Sequence, residues 1–162
     1  MYLNMKNILA CILVVIMLAG CGKPDECERE IYYLPEAFKG NVIVFFEQED
    51  GAPVEYKDGA RVYHIPESGY LKSQFPKNGG CMNDDRIRFF YTDKDEIGEE
   101  LDYFLYIDMD CIPYDRDYVL FMFLSRDNEH HFVIHLIGNV CEFHDLTEGI
   151  RYLEPVKILE SI

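Results

Sequence analysis

Short runs of β-branched and aromatic residues, each closed by Pro or a Gly-containing turn, constrain this chain most. Asn41-Val42-Ile43-Val44-Phe45-Phe46-Glu47 is one, and Arg61-Val62-Tyr63-His64-Ile65 another. Residues of this kind fit a pleated, half-buried surface better than a helix. Tyr70 to Phe75, Arg86 to Thr92, Leu101 to Ile107, Asp117 to Ser125 and His131 to Ile137 repeat the pattern. Asp58-Gly59 and Pro66-Glu67-Ser68-Gly69 supply tight turns between them. Two hairpins are expected, Arg86–Thr92 with Leu101–Ile107 and Asp117–Ser125 with His131–Ile137, with Asp93 to Glu100 as a charged turn in the first. The second is apolar throughout, as befits the middle of a sheet. Leu146 to Leu153 reads as a short helix and Val156 to Leu159, beyond Pro155, as a last strand. The expected fold is all-β: one antiparallel, sandwich-like domain, transthyretin-like by analogy, with one short C-terminal helix.

The first 21 residues follow a different rule. Ile8 to Ala19 is an uncharged apolar run of twelve residues, ending Leu18-Ala19-Gly20-Cys21. As a helix it would reach only about 18 Å at ~1.5 Å per residue, well short of a ~30 Å hydrocarbon core. It has the length of a secretory h-region, with Lys6 as the positive n-region and Met5 as the better start. Leu, small, Gly, Cys resembles the lipobox of bacterial lipoproteins at all four positions. That resemblance implies cleavage before Cys21 and a thioether-linked diacylglycerol on it, two chains being sufficient for stable anchoring. The division expected is a signal peptide over 1–20, lipidated cysteine and short tether over 21–30, and the β domain over 31–162. The location implied is the bacterial cell membrane or outer membrane, facing periplasm or exterior. Gly22 after the cysteine mildly favours the outer membrane where there are two.

Charge narrows the partners. The whole chain carries 15 Lys and Arg against 30 Asp and Glu; without the leader, which holds Lys6 and no acid, the balance is 14 against 30, or −16. That argues against nucleic acid and against a polybasic grip on lipid. Beyond Cys11 in the leader and the lipidated Cys21, four cysteines remain: Cys27, Cys81, Cys111 and Cys141. Outside the cytoplasmic membrane an even set reads as up to two disulfides, and the sequence leaves three pairings open. Without Cys-x-x-Cys spacing, a thiol-metal site is the weaker reading.

Tyr33-Leu34-Pro35-Glu36-Ala37-Phe38-Lys39-Gly40-Asn41-Val42 and Arg61-Val62-Tyr63-His64-Ile65-Pro66-Glu67-Ser68-Gly69-Tyr70-Leu71 carry a second resemblance. Together with the loop Gly51-Ala52-Pro53, they resemble an uncharacterised domain of bacterial exported proteins, over about residues 31–92. Its motifs are turn chemistry, and it implies a fold and an exported habitat without an activity. Ala37 stands where that family has Gly, which speaks against a need for positive φ there.

Chemical motifs are thin. His131 and His135 would chelate on a helix, but on a strand their Cα atoms stand ~13 Å apart. Cys141-x-x-His144 lacks two further ligands. Asp93-x-Asp95-x-Ile97-Gly98 begins like a calcium loop and then fails at Ile97 and Phe104. Asp108, Asp110, Asp115 and Asp117 form a carboxylate cluster in a loop, the remaining candidates for a hard cation, so no metal site is assigned. Ser68 sits in a turn without a nucleophile elbow, and no phosphate- or dinucleotide-binding glycine pattern occurs. The reading is a non-catalytic interaction or structural module close to the membrane, without cofactor, anchored by lipid and meeting an unidentified protein partner. A cation- or ligand-binding domain using the acidic loops is the first alternative, and a hydrolase invisible in one sequence the second.

Overall fold

The computed structural model describes residues 27–78, 86–93, 96–104, 116–124, 130–139 and 154–162, with backbone alone for 121–124. In chain order the strands are β1 (Arg29–Pro35), β2 (Gly40–Phe45), β3 (Tyr56–Lys57), β4 (Ala60–His64), β5 (Tyr70–Lys72), β6 (Ile87–Asp93), β7 (Glu96–Phe104), β8 (Tyr118–Leu124) and β9 (Phe132–Gly138), followed by helix α1 (Pro155–Ser161). All nine strands join one sheet in the order β3-β4-β1-β6-β7-β8-β9-β2-β5. The β-rich class and the presence of one short C-terminal helix are as expected, but the helix seen is Pro155–Ser161; the expected helix, 146–153, lies outside the described residues.

Pairing is mixed rather than antiparallel throughout. β1 runs parallel to both β4 and β6, β2 parallel to β5, and β7 parallel to β8. Parallel neighbours need long crossovers: the chain passes through β2 and β3 before β4 returns beside β1. Antiparallel pairs join β2 to β9, β3 to β4, β6 to β7 and β8 to β9. Both expected hairpins form. Asp58 and Gly59, at φ 51° and 74°, make the two-residue turn between β3 and β4, where Lys57 faces Ala60.

The sheet curls so that β1 and β2, neighbours in sequence but five strands apart in the sheet order, face one another across the core. Tyr32 and Leu34 from β1 share one buried cluster with Val42 and Val44 of β2, Phe89 of β6, Val119 of β8 and Ile137 of β9. The period-2 geometry of strands selects these residues. Phe46 and Phe75, from the β2–β5 side, meet Tyr63 of β4 at 6.3 and 5.4 Å between ring centroids, drawing the sheet's two margins together. β2 and β9 are apolar at successive positions because both their faces are covered. Ile43, Phe45, Phe132 and Ile134 point outward and pack against Tyr70 and against Ile158 and Leu159 of α1.

Two local expectations are corrected. Val156 to Leu159 is helical, not a strand: Pro155 stands in the first helical turn, where its fixed φ and missing N–H are no cost. The charged stretch 93–100 is mostly strand, since β6 continues to Asp93 and β7 starts at Glu96. Exposure of Glu96 to Glu100 shows strand pairing overriding a loop-like composition.

Candidate functional site

β1 begins at Arg29 and places Glu30 on the same inward face as Tyr32 and Leu34. A carboxylate there needs donors, and the fold provides them. Tyr32 Oη donates to Glu30 Oε2 at 2.9 Å, and Asn78 Nδ2 and Tyr63 Oη donate to Oε1 at 3.0 and 3.3 Å. Burial pushes the Glu30 carboxyl upward, opposed by the Asn78 and Tyr32 hydrogen bonds and by the Arg61 charge. Burial and the neighbouring Glu30 charge likewise raise the Tyr32 and Tyr63 phenols.

Around this buried group lies a second layer running from buried Arg61 and Asn78 out to exposed Tyr56. Arg61 Nε donates to Glu28 Oε2 at 2.5 Å, its guanidinium also donates to the Pro76 carbonyl, and it stacks over Phe75 at 4.9 Å. Tyr56 Oη donates to Glu28 Oε1 at 3.1 Å. Asn78 reaches back to the start of the domain: it accepts from the Glu28 backbone N–H at 3.0 Å and donates to the Glu28 carbonyl at 2.7 Å. Arg86 donates to the Cys27 carbonyl at 2.7 Å. Asn78 and Arg86, 50 and 59 residues beyond their partners Glu28 and Cys27, therefore grip the chain where it enters the sheet. The arrangement holds charges and orders an end of the sheet. Its donors meet the Glu30 and Glu28 carboxylates, the Glu28 carbonyl and the Pro76 and Cys27 carbonyls.

His135 lies deeper, edge-on to Tyr32, Phe89 and Tyr103 at 5.2, 5.0 and 5.8 Å. Desolvation lowers its pKa to about 3, so the ring is a neutral core member at physiological pH. His131, at the mouth of β9, meets the carboxylate of Glu47, a residue at φ 59°. Glu47 also lines a shallow open groove of about 440 Å³ with Gln48, Glu49, Gln74 and Pro76.

The other sequence candidates separate. Asp117 is engaged by protein: Tyr91 Oη donates to it at 3.0 Å and Lys39 Nζ lies 3.3 Å away. Asp108, Asp110 and Asp115 lie outside the described residues, as do Cys21, Cys81, Cys111, Cys141, His144 and Asp95. Asp93 ends β6. Ser68 Oγ accepts from the Tyr70 N–H at 3.3 Å, the turn role its setting implied. Among the described residues, no three His, Cys, Asp or Glu side chains converge to hold a metal, and no helix is long and apolar enough to cross a membrane. Sequence reasoning missed Glu30, Asn78 and Arg61. The available signal was parity, since Glu30 shares the register of Tyr32 and Leu34.

Comparison with known proteins adds a family. No curated protein matches the chain. A solved structure from Bacillus anthracis, described as a "Putative Lipoprotein", is 15% identical and aligns over 67% of this chain and 68% of its own, with a TM-score of 0.48. Residues 26–134, spanning β1 to the first three residues of β9, match a model described as a family of unknown function, DUF6843. The chain belongs to that family.

Proposed function

We propose that this protein is a lipid-anchored envelope protein whose β domain is a non-catalytic interaction or structural module held close to its membrane. The observation that carries the reading is the sequence Leu18-Ala19-Gly20-Cys21 behind a twelve-residue apolar run, only eight residues ahead of β1 at Arg29. Eight residues extend at most about 28 Å. The polar cluster around Glu30 serves that arrangement by fixing the entering chain to the rest of the sheet. Mass spectrometry of the protein extracted from envelopes tests the anchor. The expected N-terminal peptide starts at Cys21 and carries a diacylglyceryl group; an unmodified Cys21 or an intact leader contradicts it.

The same geometry favours one disulfide pairing. Cys81 stands between Asn78, bonded to Glu28 on both sides, and Arg86, bonded to the Cys27 carbonyl. Both ends of its loop are thus tied within one residue of Cys27, which supports Cys27–Cys81. Cys111 and Cys141 are left for each other, in segments leaving one end of the β8–β9 hairpin, where Tyr118 faces Gly138. Each bond forms by exchange with an envelope disulfide, which is reduced to its dithiol. Non-reducing peptide mapping tests it: a Cys27–Cys81 linked peptide is expected, and Cys27 linked to Cys111 or Cys141 would overturn the assignment.

A further inference from the structure

The outer face of β2 and β9 is covered by a segment from outside the sheet. Ile43 stands directly opposite Ile134, and Phe45 opposite Phe132 with the rings 5.8 Å apart, so the four side chains form one apolar patch. Tyr70 of β5 flanks it beside Ile43. Each of the four is at most 6% exposed, which is the burial of a core rather than of a sheet surface. Among the described residues beyond the sheet, its apolar cover is Ile158 and Leu159 of α1. All four patch residues fall within residues 26–134, the family-matched stretch, and the cover falls outside it.

That cover is lightly held. α1 has seven residues and none is buried; Pro155, Ile158 and Leu159 are half-buried, and the others are exposed. Isolated helices shorter than about 12–15 residues are marginal in water, so α1 depends on its docking. Its own ends work against it. Glu154 at the N-cap makes no side-chain capping bond, and the charges oppose the helix dipole, with Lys157 in the first turn and Glu160 in the last. Its hydrogen bonds stay local: the Ile158 N–H donates to the Glu154 carbonyl at 3.1 Å, and Ser161 Oγ donates to the Ile158 carbonyl at 2.8 Å. Lys157 pairs with Glu154. No hydrogen bond or ion pair joins α1 to the sheet among the described residues. β2 and β9, by contrast, have ladder partners on both sides, β9 and β5 for the first and β8 and β2 for the second. The patch therefore keeps its shape when α1 leaves.

We propose that α1 is a displaceable strap over a docking face, and that an amphipathic helix of an envelope partner takes its place. The occupant is argued from α1 itself, since the segment seated on the patch is a helix presenting two adjacent aliphatic side chains. An apolar patch of this size, once uncovered, is a surface for a partner, and a helix laid on an apolar groove is a recurrent mode of recognition. A longer, capped partner helix is closer to helical before it binds, so less ordering opposes its burial on the same patch than opposes that of α1. The closed strap hides the patch from unspecific association, and the partner selects the open minority. The inference deepens the interaction-module reading and rests on it.

Native-state hydrogen exchange on the full mature chain reads the strap directly. The amides of Ile158 to Ser161 are expected to exchange orders of magnitude faster than those of Ile43 to Phe45 and Phe132 to Ile134, through an opening that leaves the sheet folded. Leu159→Asp should release the strap while the melting transition of the sheet survives. A peptide of residues Glu154 to Ile162, added in trans at millimolar concentration, should then shift the amide resonances of Ile43, Phe45, Phe132 and Ile134. The shifts should be several-fold larger than in the wild type, whose patch is filled. Amides of α1 as protected as those of β9, or a Leu159→Asp chain that no longer folds, would make α1 part of the core and overturn the strap. A folded Leu159→Asp chain that the peptide shifts no more than the wild type would overturn the docking face. These readouts do not involve Cys21, so their failure leaves the lipid anchor standing, and an unmodified Cys21 leaves the strap standing.

Discussion

Asn78 and Glu28 are joined in both directions, side-chain oxygen to backbone N–H at 3.0 Å and side-chain nitrogen to backbone carbonyl at 2.7 Å. One amide thus replaces a strand partner where the chain enters the sheet, and its nitrogen also reaches Glu30 Oε1 at 3.0 Å. Asn78→Ala removes all three bonds and leaves a buried carboxylate short of a donor. A loss of about 2–4 kcal/mol is expected in urea unfolding, since bonds to charged groups exceed the ordinary ~1 kcal/mol. A loss below ~1 kcal/mol would mean that the entry region is held by other contacts.

Glu30 titrates above the ordinary carboxylate range because it is buried. The folded state therefore holds its proton more tightly than the unfolded chain. This contribution to stability is full below the unfolded pKa of about 4.5 and falls as pH rises towards the folded value. Glu30→Gln should flatten that decline when unfolding free energy is followed upward from pH 4. An unchanged slope would contradict a buried, proton-retaining Glu30.

His135 acts with the opposite sign. Its folded pKa of about 3 lies far below the unfolded value near 6.5, so its contribution is complete above that value and is lost as pH falls towards 3. Imidazole nitrogen shifts should show a neutral ring from pH 8 to 5. Titration of the His135 ring near 6 would contradict its place among Tyr32, Phe89 and Tyr103.

Backbone conformation makes a pair of predictions. Ala37 adopts φ 55°, so the position does take the left-handed conformation that alanine in place of glycine spoke against. Ala37→Gly should stabilise the domain by about 0.5–1 kcal/mol, the relief of left-handed strain outweighing added freedom in the unfolded chain. Gly51 behaves oppositely. A Cβ there would stand 2.7 Å from the backbone of Lys72 and Ser73, so Gly51→Ala should destabilise by roughly 1–3 kcal/mol. Thermal melts of the two variants should move in opposite directions.

Local chemistry made much of this fold legible. Asp58-Gly59 forms the turn its residues demand, and the apolar runs of β2 and β9 are doubly covered strands. Sheet order was hidden, because nothing local in Ile31 to Leu34 tells that β1 pairs with β4 and β6 rather than with β2, the next strand in sequence. Glu30 and Asn78 escaped for the same reason: 48 residues separate them, and neither requires the other until the chain has folded. Asp117 looked like a loop carboxylate awaiting a cation, and the fold had already supplied Lys39 and Tyr91.

Lipid attachment at Cys21 is the claim on which location and tether length both depend. Metabolic labelling with an alkyne palmitate analogue, followed by membrane fractionation, measures it most directly. Wild-type protein should carry the label and sediment with membranes, and Cys21→Ala should lose both. Label or membrane retention that survives Cys21→Ala would contradict the account.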